Sequence, residues 1–205
     1  YVAGGTFNRG ADDSDAYDRE KPVHSVTVSG FSIGKYEVTQ RLWKAVMGTN
    51  PSYNKGDNLP VENVSWNQVQ EFIRKLNAMT GKHYRLPTEA EWEFAARGGN
   101  RSQGYIYSGS SNLSSVAWYY DNSGRKTHPV GTKAPNELGI YDMSGNVWEW
   151  TSDIWCTDYK SPRTGSNRVY RGGSWDGSAR GCRVSYRLSN APDLYGSNLG
   201  FRLAQ

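Results

Sequence analysis

With 205 residues and a net charge of +4 spread over 24 basic and 20 acidic residues, the chain can bury a sizeable core and shows no basic run, which argues against a nucleic-acid partner. No apolar stretch reaches the ~18–20 residues needed to span a bilayer, so no direct membrane insertion is expected. Two cysteines, Cys156 and Cys182, are too few for a disulfide-stapled scaffold and lack metal-site spacing; they either pair with each other or stay free.

Eight Trp, fourteen Tyr, five Phe and 23 Gly point to aromatic clusters beneath many loops. GGTFNRG, next to an opening Tyr1 with no initiator Met or signal peptide, reads as a turn in a trimmed fragment. His24–Thr39 alternates apolar and polar residues like a half-buried hairpin, with Ser29-Gly30 as its turn. Thr39–Gly48 carries a Thr cap, helix formers and a closing Gly. Ser65–Gly81 forms a second helix, with Val69, Phe72, Ile73, Leu76 and Met79 in one apolar stripe. Leu86–Gly99 holds a third, short helix, in which Thr88 and Glu91 have capping-box spacing. Glu89, Glu91 and Glu93 on that helix read as a solvated face. From Asn100 onward no helical period recurs, and Gly, Ser, Asn and Pro punctuate short aromatic runs, a texture of loops and strand fragments in one α+β domain.

No catalytic constellation survives inspection. His24, His83 and His128 sit in unrelated contexts without metal-helix spacing. RGGSW has glycines but no phosphate-loop Lys and reads as a turn.

Four stretches together, EKPVHSVTVSGFSIGKYEVTQ (Glu20–Gln40), YRLPTEAEWEFAARGG (Tyr84–Gly99), NELGIYDMSGNVWEWTSD (Asn136–Asp153) and RGGSW…NLGFRLA (Arg171–Ala204), resemble the formylglycine-generating-enzyme-like (sulfatase-modifying factor) family. The resemblance covers nearly the whole chain. It implies a C-type lectin fold with few short strands, two to three helices and much irregular loop, as a single domain over 1–205. Enzymes of that family bind copper through two cysteines between the GGS(W/Y) and GFR motifs, where soft thiolates suit copper(I). Counted back from Arg187, those positions fall on or near Gly177 and Ala179, so no catalytic residue and no copper are expected here. Cys182 lies in the CR pair, and a structural disulfide with Cys156 or two quiet thiols is the expectation. The resemblance also implies a calcium ion at YDMSGNVWEW, held by the carboxylates of Asp142 and Glu149 and the carbonyls of Gly145 and Val147; the bland alternative is that both acids cap turns.

A subset of the family, which this chain resembles, comprises the variable proteins of bacterial diversity-generating retroelements. There, random substitution at adenines of Asn codons gives any residue except Lys, Glu, Gln, Met and Trp. Those five types make up 34 of 205 residues, yet none occurs in the 29 residues from Asp176 to Ala204, where about five would be expected. Segment 172–204 is therefore read as variable. Asp176, Gly177, Ser178 and Gly181 occupy the first exchangeable stretch. Tyr186, Leu188, Ser189, Asn190 and Ala191 occupy the second, and Leu194, Tyr195, Gly196 and Ser197 the third. Trp175, Arg183, Arg187 and Phe201 would point inward as a fixed frame. Tyr, Ser, Gly and Asn suit a recognition surface, where rigid aromatics supply area and small polar residues adapt. The expectation is a non-catalytic, receptor-like ligand-binding protein with a retroelement-diversified surface. Its partner would be a protein or cell-surface ligand. Its place would be extracellular or on a bacterial surface, with a lipid anchor in an N-terminal part outside this chain. The alternatives are a copper-dependent oxidase using Cys156 and Cys182, and a fixed accessory module.

Overall fold

The computed structural model describes residues 1–205. Strands β1 (Gly5–Arg9) and β2 (His24–Val28) pair antiparallel, with Phe7 opposite Val26. The expected hairpin within His24–Thr39 does not form. Alternation marks a strand without choosing its partner, and GGTFNRG, read as a turn, supplies it: Phe7 packs on Phe94 at 5.3 Å between ring centroids. Beyond β2, Phe31 bridges to Val2 and Ile33 to Ala204, drawing the two ends of the chain together.

The helices sit where their local signals put them. In α1 (Gln40–Met47) Thr39 Oγ1 accepts the Leu42 N–H at 3.3 Å, and Gly48 ends the helix at φ 76°. In α2 (Trp66–Thr80) Ser65 and Gln68 cap reciprocally at 3.2 and 2.9 Å. Val69, Phe72, Ile73 and Leu76 are buried as expected, but Met79 is exposed, one turn past the core. Thr88 and Glu91 cap α3 (Glu89–Ala96) in the same reciprocal way. The long irregular stretch that follows contains one helical turn, α4 (Leu113–Val116).

Strands β3 (Trp148–Ile154), β4 (Arg168–Arg171), β5 (Arg187–Asn190) and β6 (Leu199–Phe201) form a sheet in the order β5-β4-β3-β6. All its neighbours are antiparallel except β3 and β6, which run parallel. Helices α1 and α2 cover it through Val38, Trp43, Val69, Phe72, Trp150 and Phe201. Trp43 stacks on Phe72 at 5.1 Å, and Phe201 meets Phe72 edge-on at 5.3 Å. Each such buried ring contributes about 1.5–3 kcal/mol through the area it withdraws from water. Helix α3 lies between the two sheets, packing Trp92, Phe94, Ala95 and Ala96 with Val28, Phe31 and Met143. The result is the α+β, loop-rich C-type lectin type of fold that the motifs implied.

Candidate ligand-binding face

The C-terminal segment is anchored from beneath by four buried arginines, each matched to a glutamate outside segment 172–204. Arg171 Nη2 donates to Glu93 Oε2 at 2.5 Å, and Arg187 grips both oxygens of Glu89 at 2.6 and 2.8 Å. Arg183 Nη2 donates to Glu20 Oε1 at 2.6 Å, while the Ser185 hydroxyl donates to Glu20 Oε2 at 2.7 Å. Arg202 holds both oxygens of Glu149 at 2.6 Å, and Trp92 Nε1 donates a third bond at 2.7 Å. Burial by itself would raise the Glu89 and Glu93 carboxyls, but the surrounding guanidiniums hold both down at about 2.

The glutamates of α3 therefore do not form a solvated face. Glu89 and Glu93, one turn apart, are 1% and 0% exposed and point at arginines far away in sequence; only Glu91 stays at the rim, paired with Arg85. An i, i+4 pair of carboxylates looks the same in sequence whether water or arginine waits opposite it.

Above this frame the exchangeable stretches meet. Trp175 donates its N–H to the Asn146 carbonyl and its indole N–H to the Ser197 carbonyl at 3.0 Å. The Asp176 carboxylate accepts from the Ser174 hydroxyl at 2.6 Å and from Asn198 Nδ2 at 3.0 and 3.1 Å, tying the first stretch to the third. Asp176, Ser178, Leu194 and Tyr195 are exposed, Leu194 by 40% and Tyr195 by 62%. Gly177, Ser189, Asn190, Ala191, Gly196 and Ser197 are half-buried.

Three expected surface positions sit deeper. Gly181 is buried in a 3-10 turn against the Trp148 indole, so it belongs to the frame. Leu188 is half-buried against the sheet core. Tyr186 is also half-buried, its ring 5.7 Å from Tyr17 and 6.0 Å from Trp148, and its hydroxyl accepts from Arg19 Nη2 at 2.7 Å.

The face also recruits residues that the sequence does not flag. Tyr120, 55% exposed, donates its N–H to the Gly177 carbonyl at 3.0 Å, and Asn63 does the same to Gly196 at 2.8 Å. Tyr17 and Arg19 brace Tyr186. No local pattern marks any of the four; only the path of the chain brings them there.

The thiols lie apart from this surface. Gly177 and Ala179 carry no coordinating group, and Cys156 and Cys182 are both buried and unbonded. Cys182 sits beside Gly173, whose φ of 81° and Cβ-free approach (2.6 Å from a built Cβ to Sγ) let the RGGSW turn close over it. Burial pushes the Cys182 thiol up to about 12, far from the thiolate that metal binding or nucleophilic attack requires. The Cys156 sulfur lies 3.6 Å from Arg187 Nη2 instead.

The two carboxylates of the calcium set implied by YDMSGNVWEW are already engaged within the chain. Glu149 Oε2 accepts from Arg202 Nε and Trp92 Nε1 and its Oε1 from Arg202 Nη2, so a cation there would stand against a guanidinium. Asp142 accepts the Gly131 N–H at 2.7 Å, and burial, reinforced by Glu149, raises its carboxyl to about 6. The Val147 N–H and Asn146 Nδ2 turn to Glu37, at 3.1 and 2.7 Å. The histidines do not converge either: His128 stacks on Trp118 at 3.8 Å, His24 lies 4.6 Å from Tyr159, and His83 is exposed.

No helix is long and apolar enough to cross a membrane. The solved structure of Treponema denticola variable protein 1 superposes with a TM-score of 0.90 and 37% identity, covering 99% of this chain and 92% of that one. The chaperone protein LppX of Paenibacillus barcinonensis is 38% identical over 88% of this chain and 82% of its own length. The formylglycine-generating enzyme of Thermomonospora curvata is 30% identical over 99% and 91%. The model of the sulfatase-modifying factor enzyme 1-like domain matches residues 1–205, and the chain belongs to that family.

Proposed function

We propose that the chain is a non-catalytic ligand-binding protein. Its recognition face is built from Asp176–Ser178, Ser189–Ala191 and Leu194–Ser197, and segment 172–204 is diversified by a retroelement. The observation that carries this reading is the division of the segment into two kinds of position. The arginines that hold it are buried on carboxylates elsewhere in the chain, while Asp176–Ser178, Ser189–Ala191 and Leu194–Ser197 between them are exposed or half-buried. Residue type can then change outside without stranding a charge inside. Similarity to a variable protein and a chaperone supports the reading, as do Gly177 and Ala179 in place of thiols. The partner is a protein or cell-surface ligand met outside a bacterial cell.

The test is genomic. A near-copy of the codons for Gly172–Ala204 beside a reverse-transcriptase gene, differing mainly at adenines, is the expected finding. Its absence would return the chain to a fixed accessory module. Copper-dependent oxidation of a cysteine-containing peptide, lost in Cys182→Ser, would instead make it an enzyme.

A further inference from the structure

Around Glu89 and Glu93 the buried charges do not cancel. Arg9, Arg171 and Arg187 have side chains at most 6% exposed and the two glutamates at most 2%, so three guanidiniums face two carboxylates. Arg9 Nη2 lies 2.6 Å from Glu89 Oε2, and its Nε 3.8 Å from Glu93 Oε2. Arg97 adds a fourth cation on Glu93, but it is 21% exposed and has water to share its charge. The neighbouring buried acids are already matched, Glu20 by Arg183, Glu149 by Arg202, and Asp153, whose Oδ2 accepts the Glu89 N–H, by Arg163.

The same group contains donors without acceptors. Arg9 Nε, Arg171 Nε and the Tyr159 hydroxyl are shut off from solvent and make no hydrogen bond. Tyr159 lies over the cluster, with the Arg9 and Arg187 guanidiniums 4.4 and 4.5 Å from its ring centroid. Buried donors left unpaired forfeit their hydration with nothing in return. A water molecule would answer the donors but not the surplus positive charge; a small anion answers both.

We propose that this cluster binds a monovalent halide, chloride in ordinary salt, which accepts hydrogen bonds from Arg9 Nε, Arg171 Nε and the Tyr159 hydroxyl. The ion would tie β1, β4 and the loop after β3 together. Two groups there compete to supply the missing negative charge. Burial pushes the Tyr159 phenol upward, which keeps it a donor. The Cys156 thiol, 3.6 Å from Arg187 Nη2, is the remaining rival.

The experiment compares thermal unfolding of the whole chain in sodium chloride, sodium bromide and sodium gluconate at one pH and one ionic strength. Both halides are expected to raise Tm by about 3 °C or more over gluconate and to saturate with concentration. Tyr159→Phe should shift that saturation to several-fold higher chloride, and Cys156→Ser should leave it unchanged. Crystals grown in bromide should show an anomalous peak beside Tyr159. Equal Tm in the three salts, or a response that never saturates, would overturn the proposal. So would water in place of the bromide peak, or a halide response found only in Cys156→Ser, which would assign the charge to the thiolate.

Discussion

The underside and the outer face of the C-terminal segment come from one stretch of chain and follow opposite rules. Beneath, Arg171, Arg183, Arg187 and Arg202 are buried on Glu93, Glu20, Glu89 and Glu149, and losing any partner would leave a charge in a dry interior. Above, Asp176, Ser178, Leu194 and Tyr195 are exposed. The difference is one that would let a loop change outside without stranding a charge inside. Its anchoring charges are neutralised by glutamates outside it, so its other residues carry little of its stability.

The largest expected effect breaks the underside. Glu93→Ala strands Arg171 and Arg9 and should cost about 3–5 kcal/mol in denaturant unfolding. A loss below about 1 kcal/mol would mean that the cluster is not what holds the segment. Acid attacks the same place without mutation. Glu89 and Glu93 are held at about 2 in the folded chain, below their ordinary 4.5. Their contribution is complete above about pH 4.5 and is lost as pH falls toward 2, so Tm should drop steeply across that window.

Asp142 behaves with the opposite sign. Its folded carboxyl stands at about 6 against an ordinary 3.8, so its protonated form favours folding, and stability declines as pH rises from about 4 through 6. Asp142→Asn should flatten that part of the Tm profile, while an unchanged slope would place its origin elsewhere.

The outer face gives smaller effects. Asp176→Ala, Ser178→Ala, Leu194→Ala and Tyr195→Ala should each stay within about 1 kcal/mol of the parent. Leu188→Ala, half-buried on the sheet core, should cost more than Leu194→Ala. If the two leucines were equal, the boundary between frame and face would be misplaced. Smallest of all, added calcium or a chelator should move Tm by less than about 1 °C, because Glu149 is already paired with the Arg202 guanidinium.

Much of the architecture was legible before any coordinates. Thr39, Ser65 and Thr88 cap helices whose partners lie within three residues, and Gly48 and Gly81 end the first two in the left-handed region. The family motifs carried the fold, and the composition of 176–204 raised the expectation of a variable segment. Less legible were the partner of β2, the burial of Gly181, and the part played by Tyr17, Arg19, Asn63 and Tyr120.

What the chain alone determined were its local choices: caps, stops, alternation, and the absence of thiols at Gly177 and Ala179. Hydrogen bonds over three or four residues and the chemistry of a side chain need no knowledge of the rest of the molecule. The tertiary structure alone decided which charges are buried and which acids remain free for a ligand. Glu89 and Glu93 meet arginines 78 to 98 residues away, and Glu149 meets Arg202 at a separation of 53. Desolvation is a property of the surroundings, and only the folded chain supplies them.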